Sequence, residues 1–280
     1  MIKSMTGYGK GQAESLTSQI KVEIRSLNSK GLDLSFRCPN AYRDREMSWR
    51  KSIGDKVKRG KVDLNIHREV IDKPISGINI KWLQTIMSEL QSVSSEPISN
   101  SDLLSMALKI PAQNIHTDIL ESEWQAVEVA INKALDSFQV FRESEGATLS
   151  DDLEKNVLSI EQGLSFIEPM EKERIINLKE RLIRGLADLK YDKNRFEQEL
   201  IYYLEKLDIN EEKVRLQFHI DHFRQSMDDG NGRKLGFIGQ EIGREINTLG
   251  SKSNHAGMQK VVVQMKENLE KIKEQVLNIL

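Results

Sequence analysis

The chain reads as an α+β protein, an antiparallel-sheet domain followed by helices, and three features of the sequence say so. Its first seventy residues alternate apolar and polar side chains at a spacing of two around one helical stretch. Beyond residue 121 the apolar residues fall at steps of three and four almost without interruption. Between these regimes lies a punctuated region with Pro74, Gly77 and the tract SVSSEPISNSD. Strands gathered in one part of a chain and helices in another give segregated layers rather than a doubly wound sheet.

Taken in order, residues 18–27 (SQIKVEIRSL) set Ile20, Val22 and Ile24 against Lys21, Glu23 and Arg25, a half-buried strand. After the turn Asn28-Ser29-Lys30-Gly31, Leu32, Leu34 and Phe36 alternate again, which predicts a hairpin. Pro39-Asn40 stops that strand, a helix is expected from about Arg43 to Val57, and Gly60 opens a strand through Val62, Leu64 and Ile66. Residues 71–120 read as a connection with one short helix capped by Ser101 or Asp102. Leu153, Val157, Ile160, Leu164 and Ile167 then form a stripe that Pro169 should break, with Leu178, Leu182, Leu186 and Leu189 resuming it as a helical hairpin. Met258, Val262, Met265, Leu269, Ile272, Val276 and Ile279 make the narrowest stripe, roughly 30 Å long, which needs a partner helix within the fold or in another subunit. The expected division is an N-terminal α+β domain over 1–120, a helical hairpin over 121–192 and a helical C-terminal domain over 193–280.

Composition narrows the function. Charged residues make up 30% of 280 and apolar ones 38%, which fits a folded, helix-rich protein rather than a disordered one. A single cysteine, Cys38, excludes an internal disulfide. No signal peptide or long apolar run is visible, so a cytoplasmic location without membrane contact is expected. Residues 1–70 hold 15 Lys/Arg against 8 Asp/Glu, a net of +7, and the remainder carries a net of −9. That asymmetry points to a basic first part able to attract a polyanion. Phosphate-loop, HExxH, paired CxxC and GxSxG signatures are all missing, which sets aside the enzyme classes that carry them.

Chemistry-bearing side chains concentrate in the C-terminal third. NRFEQELIYYLEKLDINEE carries Glu199, VRLQFHIDHFRQSM carries His219 and His222, and GRKLGFIGQEIGREINTLGSKSN carries Arg233, Gln240, Glu241, Arg244, Glu245, Thr248 and Lys252. In the third segment the polar residues recur every three or four positions, with Glu241 and Glu245 one turn apart. Two carboxylates so spaced can share a divalent cation, and a histidine from a neighbouring helix can complete an N/O site. Arg233, Lys234, Arg244 and Lys252 are suited to phosphate. The plainer reading is a set of surface ion pairs. Against it stand six glycines, Gly230, Gly232, Gly236, Gly239, Gly243 and Gly250, in and beside a helix, each costing about 1 kcal/mol relative to Ala and implying close approach of a backbone or ligand.

The opening MIKSMTGYG, then VEIRSLNSKGLDLSFR, RGKV at 59–62, RESEG at 142–146 and the C-terminal segments above with VVQMKENLEKIKEQVLNI together resemble the YicC-like family of bacterial proteins, collinearly and over nearly the whole chain. The resemblance implies homo-oligomerisation, a hexamer among the candidates, and divalent-metal-dependent endoribonuclease activity on single-stranded RNA. Under it, Glu241, Glu245 and His219 are expected to bind Mn²⁺ or Mg²⁺, with Glu199 as a further ligand or base. Arg233, Arg244 and Lys252 are expected at the phosphates, and Arg25, Arg59 and Lys61 along the RNA backbone. The chain departs from the family pattern at Gly236, Gly243, His255 and Gly257, where Asp, Asn, Asp and Glu are usual. A non-catalytic RNA-binding adaptor or an oligomeric scaffold is the alternative reading of the same residues.

Overall fold

A computed structural model describes residues 1–71, 80–94, 96–110, 119–185 and 193–280. Alternation at a spacing of two produces β1 (Gly7–Glu14), β2 (Ser18–Leu27) and β3 (Leu32–Arg37), after which come α1 (Arg43–Val57) and β4 (Gly60–Val70). Ile20, Val22 and Ile24 of β2 and Val62, Leu64 and Ile66 of β4 all point into one core. The helix over 43–57 has the bounds expected of it.

The sheet order is β1-β2-β4-β3, with β1/β2 and β2/β4 antiparallel and β3/β4 parallel. The expected β2–β3 hairpin does not form. The helix α1 carries the chain back to the start of β3, so β4 enters parallel to it, as a strand–helix–strand crossover requires. With Val62 and Leu64 fully buried, β4 takes the inner place, and β3, whose Leu32 is exposed and Leu34 half-buried, takes the edge. The 28–31 turn instead meets the α1–β4 turn: Gly60 N–H donates to Gly31 O at 3.1 Å and Arg59 Nε to Ser29 O at 3.0 Å.

Helices α2 (Ile80–Val93) and α3 (Asn100–Lys109) pack on each other. The cap of α3 is Ser99, whose Oγ accepts from Asp102 N–H at 3.2 Å, not Ser101 or Asp102. The punctuating Pro74 and Gly77 lie outside the described residues.

Next comes α4 (Glu121–Gly185), 65 residues without a break. Pro169 lies inside it and does not make the expected hairpin. The ring sits on an exposed position, and its turn-mate Ser165 is exposed too, so the carbonyl that loses its N–H partner faces water. Leu186 and Leu189 lie outside the described residues. The first third of α4 covers the sheet with Val127, Ala130, Ala134 and Phe138. Close approach explains the GYGKG run of β1: a Cβ on Gly9 or Gly11 would overlap the carbonyl oxygens of Ala134 and Ala130.

Farther along, α4 contributes Leu153, Val157, Ile160 and Ile167 to a second core, shared with α6 (Asn210–Met227), α7 (Gly232–Lys252) and α8 (Ala256–Val276). Ahead of these comes α5 (Lys193–Lys206). Every residue of the narrow stripe from Met258 to Ile279 is buried there. The start of the chain belongs to this core too: Ile2 is buried in it, and Met5 N–H donates to Asn278 O at 2.7 Å. Where the two cores meet, Arg142 of α4 is fully buried. Its guanidinium donates to Met5 O (2.9 Å), Val57 O (3.3 Å), Arg59 O (3.3 Å) and Ser26 Oγ (3.4 Å), and burial pulls its pKa down to about 10. It therefore stays a cation at neutral pH, solvated by carbonyls instead of a carboxylate.

Candidate active site

The helix α7 has three faces. Leu235, Ile238, Ile242, Ile246 and Leu249 fill the core. Gly232, Gly236, Gly243 and Gly250 form a flank against α8: their nearest neighbours are Val276, Leu269, Lys273 and Val262. Close approach of α8 therefore accounts for Gly232, Gly243 and Gly250, while at Gly236 the nearest atom, Val276 Cγ2, is 4.0 Å away. The family departures at Gly236 and Gly243 consequently lie on the α8 side. His255, another departure, keeps a capping role, its Nδ1 accepting from Met258 N–H at 3.3 Å.

The opposite flank of α7 faces α6, which the turn at 228–231 sends back alongside it. Lys252 Nζ reaches Glu212 of α6 at 2.8 Å. Glu245 is seven residues before Lys252, and His219 seven after Glu212. Two antiparallel helices rise equally per residue, so Glu245 and His219 stand at one level on facing flanks. Glu245 is only 5% exposed, and among the described residues no hydrogen bond or ion pair engages it. Along α6, Glu212, His219 and Ser226 repeat every seven residues and form one polar stripe in this seam. Glu212 Oε2 and Ser226 Oγ are buried without a hydrogen-bond partner. The seam thus collects two buried polar atoms whose bonding capacity the chain leaves unused, and such atoms are uncommon in a folded interior.

The rest of α6 is anchored elsewhere. Arg224 lies between Glu154 (2.9 Å) and Glu161 (2.7 Å) of α4, and its hydrogen bond holds the Glu161 carboxyl below the usual carboxylate range. Lys213 pairs with Glu171 of α4 at 2.6 Å. These pairs fix the rotation of α6 and so the direction in which His219 points.

The expected site residues divide accordingly. Glu245, His219 and Lys252 share the seam. Glu241 is half-exposed and turned to Arg244, 3.2 Å away on the outer face. Glu199 lies on an exposed position of α5. Among the described residues no three His, Cys, Asp or Glu side chains converge on a point where a metal ion would sit, so the expected set of His219, Glu241 and Glu245 is not assembled within one chain. The cause is the 100° step of the helix: it puts Glu241 at the rim of the seam, where an exposed arginine one turn away outcompetes it. Arg233 is exposed in the first turn of α7. Arg25 lies on the open face of the sheet, over the Tyr8 ring at 5.3 Å and 3.3 Å from Glu23. Cys38 is half-buried near Glu46, and burial pushes its thiol up, which makes it a poor nucleophile.

Sequence reasoning missed Glu212 and Ser226. Glu211-Glu212 reads as the acidic first turn of a helix, where carboxylates are ordinary. Only the spacing of seven to His219 and again to Ser226 marks the stripe.

The sheet domain and the helical domain each match a known family model. Residues 2–151 match the N-terminal region of the YicC-like endoribonucleases, and residues 166–280 match their C-terminal domain. The class is thereby defined: the chain is an enzyme that cuts RNA internally. Two curated relatives agree over their full lengths and over all of this chain. One, from Clostridioides difficile (strain 630), is 30% identical over 295 residues, and one, from Haemophilus influenzae, is 28% identical over 289 residues; each is described as a probable endoribonuclease YicC. The chain belongs to the YicC-like endoribonuclease family.

Proposed function

We propose that this endoribonuclease cuts single-stranded RNA with the help of a divalent cation, and that the reaction centre is the α6/α7 seam around Glu245 and His219. The observation that carries the reading is Glu245. Glu245 is a buried residue, 5% exposed, whose carboxylate takes no hydrogen bond or ion pair among the described residues, which leaves its oxygens available to a ligand in the seam. A half-buried histidine at its level supplies the nitrogen of a mixed N/O site.

The donor set suits an open site rather than a closed cage. Mg²⁺ is commonly held by one or two carboxylates, with waters and substrate phosphate oxygens completing the shell. Glu245 and His219 would hold Mn²⁺ or Mg²⁺ in this way, and the ion would neutralise charge at the phosphate. The remaining work falls to the chain. Lys252 keeps part of its ammonium exposed beyond Glu212 and reaches a phosphate oxygen. Arg244, on the exposed crest, offers a forked contact once it leaves Glu241. Phe218, 64% exposed and 5.5 Å from the His219 ring, is suited to stacking a base, which requires a strand with unpaired bases. Exposed Ile201, Tyr202 and Val214 on α5 and α6 support homo-oligomerisation. Among the described residues no helix is long and apolar enough to cross a membrane.

The test is cleavage of an end-labelled single-stranded RNA with Mn²⁺, with Mg²⁺ and with EDTA, by the native chain and by Glu245→Gln. Loss of cutting in EDTA and in the variant is expected. Unchanged cutting in chelator would end the metal role, and unchanged cutting by Glu245→Gln would move the reaction centre elsewhere.

A further inference from the structure

The outer part of α4 passes the α7–α8 turn, and between them lies a cleft of about 140 Å³. Arg174, Asn177 and Arg181 line it from α4, on one face because they follow at steps of three and four. Asn254 and His255 line it from the turn. His255 Nδ1 accepts from Met258 N–H at 3.3 Å, so the neutral ring carries its proton on Nε2, a donor. Gly257 clears space for that ring, since a Cβ there would lie 3.0 Å from His255 Cε1. All five polar side chains therefore offer donors, and no carboxylate is among the described residues that line the cleft.

Two cations here lack a counter-charge. Arg174 is 6% exposed, and its guanidinium donates to Lys252 O at 2.9 Å and to Leu207 O at 2.8 Å, both neutral carbonyls. Two of its five N–H groups are thereby used. Arg181 is exposed, and neither arginine makes an ion pair among the described residues. One turn to either side of Arg181 stand Asn177, Leu178, Arg184 and Gly185, so its own helix supplies no acid there. Glu171, Glu205 and Asp208 line a neighbouring cleft that shares Arg174. Of these, Glu171 is taken by Lys213 at 2.6 Å, and the other two are exposed and screened by water.

Volume and donor chemistry together select the ligand. Pockets that take a drug-sized molecule run to about 300–1,000 Å³. This cleft has room for roughly ten water-sized groups, which suits a phosphoryl group and little more. A terminal phosphate brings three acceptor oxygens and a charge of about −1.5 to −2 at neutral pH, a match for two guanidinium groups with amide and imidazole donors. A carboxylate brings two oxygens and one charge, a poorer match. We propose that this cleft is a binding site for a terminal phosphate, held by Arg174, Arg181, Asn254 and His255. Two sources share this chemistry: the phosphorylated end of an RNA strand and free inorganic phosphate. The cleft adjoins the end of the seam, because Arg174 holds the carbonyl of Lys252. Only the first source rests on the endoribonuclease reading of that seam.

The experiment is isothermal titration calorimetry of the full chain with inorganic phosphate, in EDTA so that no metal-bound phosphate is counted. One saturable site is expected, and Arg181→Gln and His255→Asp should each weaken it about tenfold or more. Aspartate is a good N-cap, so the second variant keeps α8 in place while adding a negative charge to the cleft. Glu245→Gln should bind phosphate as the native chain does, which separates the cleft from the seam. Fluorescence anisotropy of 2′-O-methyl strands with phosphate or hydroxyl ends, labelled at the opposite end, distinguishes the sources. Phosphate-ended strands that bind about tenfold more tightly, with the preference lost in both variants, assign the cleft to RNA ends. Equal binding of the two strands assigns it to the free anion. No saturable phosphate site together with equal binding of the strands would overturn the proposal, as would native phosphate affinity in both variants with native circular dichroism. If the chain binds phosphate in the predicted way but leaves unmodified RNA uncut, the reading of the seam fails and the cleft stands. If it cuts RNA while phosphate and phosphate-ended strands show no site, the cleft fails and the seam stands.

Discussion

Replacing Glu245 with methionine should make the protein more stable and inactive. Glu245 is 5% exposed and its side chain has no hydrogen bond or ion pair among the described residues. Leaving a buried polar group unsatisfied costs about 1–3 kcal/mol, and more for a charged one. Methionine has nearly the same length, fills the space and removes the penalty. A gain of 1–3 kcal/mol is expected, which raises the melting temperature of a protein this large by roughly 2–8 °C. Glutamine keeps a polar group in place and should recover less. Both substitutions should lower cleavage of labelled RNA at least a hundredfold, the scale of removing a group that acts in the transition state. The assay pairs urea unfolding with a cleavage time course on the same preparations. A Glu245→Met variant destabilised by 1 kcal/mol or more would refute the reasoning, because it would mean that the carboxylate makes a bond that holds the fold.

Glu123 behaves in the opposite way. It is buried, and it accepts from Tyr42 Oη at 2.6 Å, Ser18 Oγ at 3.0 Å and Arg68, so Glu123→Gln should cost about 3 kcal/mol in urea unfolding. Burial alone would raise its carboxyl, but the hydrogen bonds from Arg68, Tyr42 and Ser18 together bring it below the ordinary 4.5. Its folded pKa is therefore lower than its unfolded one. The stabilisation is complete above about 4.5 and is lost as pH falls through the folded value, and acid titrations of the variant should lack that component. Arg142→Met should cost about 3–5 kcal/mol, measured the same way, because Met5 O, Val57 O, Arg59 O and Ser26 Oγ each lose a guanidinium donor at the junction of the two cores. Gly11→Ala should lower stability by about 1–3 kcal/mol in thermal melts, since the added methyl meets backbone that cannot give way, whereas Gly31→Ala, with open space around it, should be close to neutral.

The elements were written in local patterns, and their partners were not. Alternation through Ile20, Val22 and Ile24 and through Val62, Leu64 and Ile66 marks strands whose faces the structure confirms. Nothing in that pattern says that β4 enters between β2 and β3, because pairing depends on where α1 delivers the chain. Proline is a breaker on average, yet Pro169 is tolerated where its lost bond faces water. In the candidate site, the segment carrying Glu245 was visible as a dense polar run. The run alone does not separate the flank facing α6 from the crest facing solvent, so Glu241 and Glu245 look equivalent in sequence and differ in the fold. The glycines of α7 illustrate the same limit: at Gly232, Gly243 and Gly250 the close approach is that of α8 rather than of a ligand, whereas Gly239 has open space around its Cβ position.

The unbroken α4 has a geometric consequence for the enzyme. One end is clamped to the sheet through Ala130 and Ala134, and the other to the helical core through Val157 and Ile160. It therefore acts as an axle that sets the angular phase between the sheet domain and the helical core. One residue inserted into the stretch between Phe138 and Leu149 would turn one end against the other by 100° and shift it by 1.5 Å. A seven-residue insertion would return the phase to within about 20° while adding roughly 10 Å of length. Spacing within this helix is thus under a constraint independent of which side chains it carries: the sheet and the helical core keep their relative orientation only at the native count.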